Sequence, residues 1–387
     1  MPRHSMLGCA LAIAACATAR NAPSGSSGDS PGTGTEAAGF SVDAKWPRQL
    51  PNDWILGQVS GIAVDADDHV WILQRPGSLT EDEKALTFHP PPSKCCAPAP
   101  PVLEFDGEGR LLRSWGGPGK GYDWPQNEHG IHVDGKGFVW VSGNGDNDGQ
   151  ILRFTRDGKF VSQIGKPGPQ TNSADTTRLG KPAGMELDPA TNEIFVADGY
   201  QNRRIIVFDA ETGAYKRHWG AYGKPPSDAE KVTMRRDQPP SDPPPQQFGN
   251  PVHCVRLAKD GLVYVCDRLN DRVQVFKRDG TFVKEFSIEP RTAGNGSVWD
   301  IALSRDPQQR YLYLADGRNN QILTLARDSG AVVATTGYPG RSAGAFHWVH
   351  DIALDSQGNL YAGEVDTGKR AQKFVPAAKS AAISRKP

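Results

Sequence analysis

The chain has 387 residues, with 44 Lys+Arg against 44 Asp+Glu, 43 Gly and 31 Pro. No basic stripe or charge block stands out of that balance, which argues against a nucleic-acid surface and against bulk electrostatic contact with a membrane. Apolar and aromatic residues come in short bursts broken by Gly, Pro, Asp and Asn, the profile of a many-stranded all-β fold.

At the N-terminus, Arg3 and His4 precede an apolar run over residues 6–15 that is too short to span a bilayer as a helix. It ends in Ile13-Ala14-Ala15-Cys16, which resembles the lipobox of bacterial lipoproteins, where cleavage falls before the Cys and the Cys then carries lipid. An ordinary secretory signal with a chance Cys is the alternative. Residues 1–16 are thus expected to be a signal peptide, and 17–39, rich in Ser, Gly and Pro, a flexible tether. The protein is expected to be exported and to sit as a lipoprotein at the periplasmic face or cell surface. Its membrane contact would be the lipid anchor alone.

One unit then recurs six times. Its first hairpin reads GIAVDADDHVWIL (61–73), GIHVDGKGFVWVS (130–142), GMELDPATNEIFVA (184–197), CVRLAKDGLVYVC (254–266), DIALSRDPQQRYLYLA (300–315) and DIALDSQGNLYAG (351–363). Each copy alternates apolar and polar residues, turns on Asp, Gly or Asn, and returns in a strand carrying an aromatic. A third strand follows in every copy, from VLEFD (102–106) to AQKFV (371–375), and a fourth in the first five. Four short antiparallel strands repeated in this way predict a six-bladed β-propeller over residues 40–376, followed by a tail over 377–387, and the pattern resembles NHL repeats. The sixth unit lacks a fourth strand of its own, and residues 40–46 are expected to supply it and close the ring. Insertions over 76–101 and 222–247 read as loops. Of the cysteines, Cys95 and Cys96 are vicinal, while Cys254 and Cys266 flank a hairpin turn, either bridged or as buried thiols.

The residue just before each first strand is Ser60, His129, Ala183, His253, Trp299 and His350. First strands line a propeller's channel, so histidines in blades two, four and six would converge on the axis from three sides. Three imidazoles with an open fourth position form a catalytic zinc arrangement, although imidazole also suits iron, copper and nickel. Unrelated channel histidines are the bland alternative, and His347 is the alternative ligand. His132 could face the channel behind the site. At the end of the second strand, on the same face, stand Arg75, Tyr200 and Arg268. Arginine forks suit a carboxylate, and a phenol beside a metal and a cation can act as acid or base.

These stretches resemble peptidyl-α-hydroxyglycine α-amidating lyase: LGQVSGIAVD with Arg75, EHGI (128–131), VADGYQNRRIIVF (196–208), FGNPVHCV with VCDRLNDRVQVF (248–276) and VHDIALDSQGNLYAGE (349–364). The resemblance implies zinc on His129, His253 and His350. It implies a structural calcium on the carbonyls of Ile62 and Ile131 and the carboxylate of Asp351. It further implies catalytic roles for Tyr200, Arg75 and Arg268 in cleaving the N–Cα bond of a C-terminal α-hydroxyglycine to an amide and glyoxylate. The chain departs from the animal members where Glu128, Val252 and Val349 precede the ligands in place of Pro, at Trp348, and at Gln201 after Tyr200. No stretch resembles a copper monooxygenase, so the substrate is expected from elsewhere, or to be another carbinolamide. A monomer acting on a small molecule or a peptide C-terminus is expected. Two alternatives are a non-catalytic NHL-repeat surface propeller that binds a protein or glycan, and a propeller lactonase or hydrolase using calcium.

Overall fold

The computed structural model describes residues 39–169, 172–229 and 241–377. The expected signal peptide, the tether apart from its last residue, and the tail apart from its first residue lie outside the described residues.

Six four-stranded antiparallel sheets form six blades, as the repeats predict. Their first strands are Gln58–Val64, Glu128–Val133, Met185–Asp188, Val252–Leu257, Asp300–Leu303 and Val349–Leu354. Each touches the first strand of the blade before and after it, so the six line one central channel. Phe40–Asp43 pairs antiparallel with Arg370–Pro376, from Phe40 opposite Pro376 to Asp43 opposite Lys373, and completes blade six. The ring is thus latched by the first and last described strands, which leaves no open seam in blade six.

The turn acid of the repeat has a mechanical task. Asp65 accepts the backbone N–H groups of Asp67 and His69 on one oxygen and the Trp71 indole N–H at 2.9 Å on the other. Asp134 does the same for Lys136, Phe138 and Trp140, and Asp355 for Gln357, Asn359 and the Tyr361 hydroxyl. A short acceptor closes the turn and anchors the polar tip of the aromatic on the returning strand. Trp71 and Trp140 are fully buried, and truncating either to Ala would cost about 3–5 kcal/mol.

Two sequence expectations gain detail. Residues 76–101 are not wholly loop. They carry 3-10 turns over Pro76–Ser78 and Asp82–Thr87, and Ala97–Pro98 pairs in parallel with Trp54–Ile55. Cys254 and Cys266 stand opposite each other in blade four, 4.8 Å apart at Cα, and are bridged. Cys95 and Cys96 are adjacent in the first insertion, with their Cα atoms 3.1 Å apart.

Candidate metal centre

The first strands of blades one, two, four and six slip register at the residue singled out by the repeat. The slips fall between Val59 and Gly61, Glu128 and Ile131, Val252 and Cys254, and Val349 and Asp351. They skip Ser60, His129 with Gly130, His253, and His350. A bulge leaves its residue out of the ladder and re-aims the side chain, which here turns three imidazoles toward the axis. Gly130 is needed in its bulge, because a Cβ there would overlap the Ala183 carbonyl and the Ser142 hydroxyl.

The imidazole ring centres lie 4.8 Å apart for His129–His350 and His253–His350, and 5.0 Å apart for His129–His253. One ring nitrogen from each lies within 4.8 Å of the other two, and all three side chains are buried. Each Nδ1 faces the backbone carbonyl of the equivalent position one blade on. The pairs are His129 with Ala183 at 3.2 Å, His350 with Ser60 at 2.8 Å, and His253 with Trp299. A carbonyl only accepts, so Nδ1 carries the proton and Nε2 keeps its lone pair. Burial holds all three imidazoles well below the usual histidine range. Arg268 pushes each the same way, and Arg75 does so for His129 and His350. Three neutral Nε2 donors in a buried pocket fit a divalent ion with an open position.

Tyr200, Arg268 and Arg75 come to the same end of the channel. The Tyr200 hydroxyl lies 2.9 Å from His129 Nε2 and 3.1 Å from His253 Nε2, and accepts from Arg268 Nη1 at 3.1 Å. The phenol therefore shares the lone pairs that an ion would use. Arg268 stacks over Trp299, 4.4 Å from the ring centre. Arg75 donates from Nε to the Glu128 carbonyl at 2.7 Å and from Nη1 to Gln58 Oε1 at 2.8 Å. Burial draws its guanidinium below the usual arginine value, against the pull of Tyr200 and Glu128.

The loops bearing these groups are clamped from beneath. Asp198 accepts from Arg204 Nε at 2.9 Å and Asn202 Nδ2 at 2.7 Å. Asp267 accepts from Arg272 Nε at 2.7 Å and the Gly249 N–H at 2.8 Å. Gly199 lets Tyr200 approach, since a Cβ there would overlap the Val252 backbone beside His253. Ser78 Oγ accepts the Gln58 N–H at 2.8 Å and donates to the Arg75 carbonyl at 2.7 Å. The first insertion is thereby fastened beside the site.

Other expected residues fall elsewhere. His347 faces Asp366 at 3.2 Å on the surface, away from the triad. His132 lies farther down the channel, where its Nε2 accepts the Leu187 N–H at 3.3 Å. Of the groups expected for calcium, the Asp351 carboxylate is already engaged by other groups of the chain. Asp351 Oδ2 accepts the Ile62 N–H at 3.1 Å, and Oδ1 faces Arg256 Nη2 at 3.3 Å. Burial, and Asp300 next to it, push the Asp351 carboxyl well above the usual carboxylate range. Asp300 and Arg256 are not among the site residues expected from the sequence. The signal for Asp300 was present, because DIAL at 300–303 repeats as DIAL at 351–354 and makes Asp300 the blade-five counterpart of Asp351. A separate cluster, Asp65, His69 and Glu104, already holds Arg156, whose Nη2 lies 2.6 Å from both carboxylates.

No family model matches the chain. Curated relatives do. The probable peptidyl-alpha-hydroxyglycine alpha-amidating lyase of Caenorhabditis elegans is 28% identical over 225 residues, covering 57% of this chain and 56% of that protein. The chain's homologues include an α-amidating lyase. The peptidyl-glycine alpha-amidating monooxygenase of Mus musculus is 25% identical over 344 residues, or 82% of this chain. This chain spans only 30% of that protein's length. NHL repeat-containing protein 3 of Mus musculus is 24% identical and covers 87% of this chain and 84% of its own length. Among solved structures, a streptogramin B lyase superposes with a TM-score of 0.50 at 16% identity, covering 87% of this chain and 98% of that one. A Bacteroides thetaiotaomicron protein reaches 0.51 at 15% identity, covering 83% and 70%. These two likenesses concern the fold alone, an NHL-type propeller.

Proposed function

We propose that this propeller is a zinc-dependent lyase that cleaves the N–Cα bond of a peptidyl-α-hydroxyglycine, or a similar carbinolamide, into an amide and glyoxylate. One observation carries the reading: three neutral Nε2 atoms converge in the channel with the Tyr200 hydroxyl between two of them and Arg268 on that hydroxyl. The relatives named for α-amidating chemistry point the same way.

His129, His253 and His350 would hold the ion, which supplies Lewis acidity toward the substrate's α-hydroxyl. The chain's own groups handle the rest. Tyr200 acts as its phenolate, and Oη takes the proton from the hydroxyl oxygen. As the C=O bond forms, the N–Cα bond breaks with its electron pair going to nitrogen, and Oη returns the proton to that nitrogen. Arg268 Nη1 donates to Oη and steadies negative charge there during the transfer. Arg75, with Nε and Nη1 engaged by Glu128 and Gln58, presents its guanidinium to the glycine carboxylate. Burial of the site excludes water from these charges.

The protein would act outside the cytoplasm as a lipid-anchored monomer on a small molecule or peptide C-terminus. The test is to incubate the metal-loaded protein with a peptide ending in α-hydroxyglycine and measure glyoxylate. His129→Ala, His253→Ala and His350→Ala should each lose metal and turnover together. The near full-length likeness to NHL repeat-containing protein 3 favours a second reading, a non-catalytic surface propeller. Purified protein without a stoichiometric ion and without glyoxylate release would select it.

A further inference from the structure

Beneath the three imidazoles the channel is crossed by a half-buried guanidinium. Arg256 leaves the first strand of blade four and reaches blades five and six. Its Nη2 lies 2.7 Å from Asp300 Oδ1 and 3.3 Å from Asp351 Oδ1, and its Nε donates to the Ile301 carbonyl at 3.0 Å. Each carboxylate gives its other oxygen to the backbone of the next blade. Asp300 Oδ2 accepts the Ile352 N–H at 3.0 Å, and Asp351 Oδ2 accepts the Ile62 N–H at 3.1 Å. Asp300 and Asp351 therefore link blades five, six and one, with the remaining oxygen of each facing one guanidinium.

We propose that Arg256 is the resident cation of this part of the channel, so that the propeller has no calcium requirement there. Two buried carboxylates repel unless a positive charge compensates them. Calcium would do so through about six to eight oxygens at roughly 2.3–2.6 Å. The Asp351 oxygen that would turn to it already faces Nη2 at 3.3 Å, so an ion there would lie against a guanidinium and be repelled by it. A planar guanidinium can face two carboxylates and a carbonyl at once; Asp300 Oδ1 meets it as a close ion pair without an aligned hydrogen bond. The chain uses the same device on its outer face, where Arg156 fills the cluster of Asp65, His69 and Glu104. The inference stands whether or not the histidine site is a lyase.

The experiment uses the full chain, equilibrated with millimolar calcium, desalted and analysed for metals, with Tm measured in EGTA and in excess calcium. The expected result is no retained calcium and the same Tm in both. Stoichiometric calcium, or a Tm lowered by EGTA and restored by calcium alone, would overturn the proposal. Arg256→Met should lower Tm and make it rise with calcium, whereas Arg256→Lys should keep the indifference of the wild type. An Arg256→Met protein with unchanged Tm and no calcium response would also overturn it. If that variant does not fold, the wild-type measurement decides alone.

Discussion

His350 Nδ1 lies 2.8 Å from the carbonyl oxygen of Ser60, a residue 290 positions earlier in the chain. This contact crosses the seam at which the ring closes, between blade six and blade one. The aim of one candidate ligand therefore depends on closure, and closure depends on Phe40–Asp43.

Val42, half-buried in that strand, packs with Phe40 against the blade-six core. Val42→Asp should cost about 1–3 kcal/mol by placing a charge there and should weaken metal binding in parallel. Added metal would then recover part of the lost Tm, because a ligand bound only by the folded state stabilises it. Thermal melts with and without zinc check this; a large Tm loss at unchanged metal affinity would separate closure from the site.

Tyr200→Phe removes one hydroxyl and nothing else. The phenol shares lone pairs with any ion on His129 and His253, so the variant should bind metal at least as tightly as the wild type. Its lyase rate should fall by about 10²–10⁴-fold, the usual worth of a positioned proton-transfer group. Metal titration alongside glyoxylate release measures both. A full rate with metal bound would remove the tyrosine from the mechanism.

Gly199→Ala puts a Cβ into the backbone of Val252. Relief requires the Tyr200 loop or the His253 strand to move, at a cost of about 1–3 kcal/mol. Turnover should drop more than stability alone accounts for, because a displacement of about 1 Å at a site can cost 10²-fold. Comparing kcat with Tm distinguishes this from simple unfolding.

Burial lowers His132 to about 4, although the channel leaves the ring partly accessible. Between the unfolded value of about 6.5 and 4, the unfolded chain binds a proton that the folded chain refuses. Stability contributed here is therefore present above pH 6.5 and lost as pH falls toward 4. Glu186, raised by burial to about 7, works in the opposite sense, because its folded form takes up a proton first. The clean measurement is a difference between proteins. His132→Gln keeps an acceptor for the Leu187 N–H, and the metal-free variant should lose about 1–3 kcal/mol less than the wild type between pH 7 and pH 4. Parallel stability curves would show that His132 does not titrate in this way.

The propeller was legible in the residues because its signals are local. Alternation along a strand, the turn acids Asp65, Asp134 and Asp355, and the aromatic on the returning strand all act within a dozen positions, so six copies announce themselves. Phase then placed His129, His253 and His350 in equivalent slots, and Tyr200, Arg75 and Arg268 at the same end. The register slips that aim the imidazoles, the carbonyls of Ala183, Trp299 and Ser60 that hold their Nδ1 atoms, and the meeting of Arg256 with Asp300 and Asp351 were decided only by the assembled ring. Each of those contacts joins different blades, and a partner's identity and direction there follow from how neighbouring blades pack rather than from spacing along the chain.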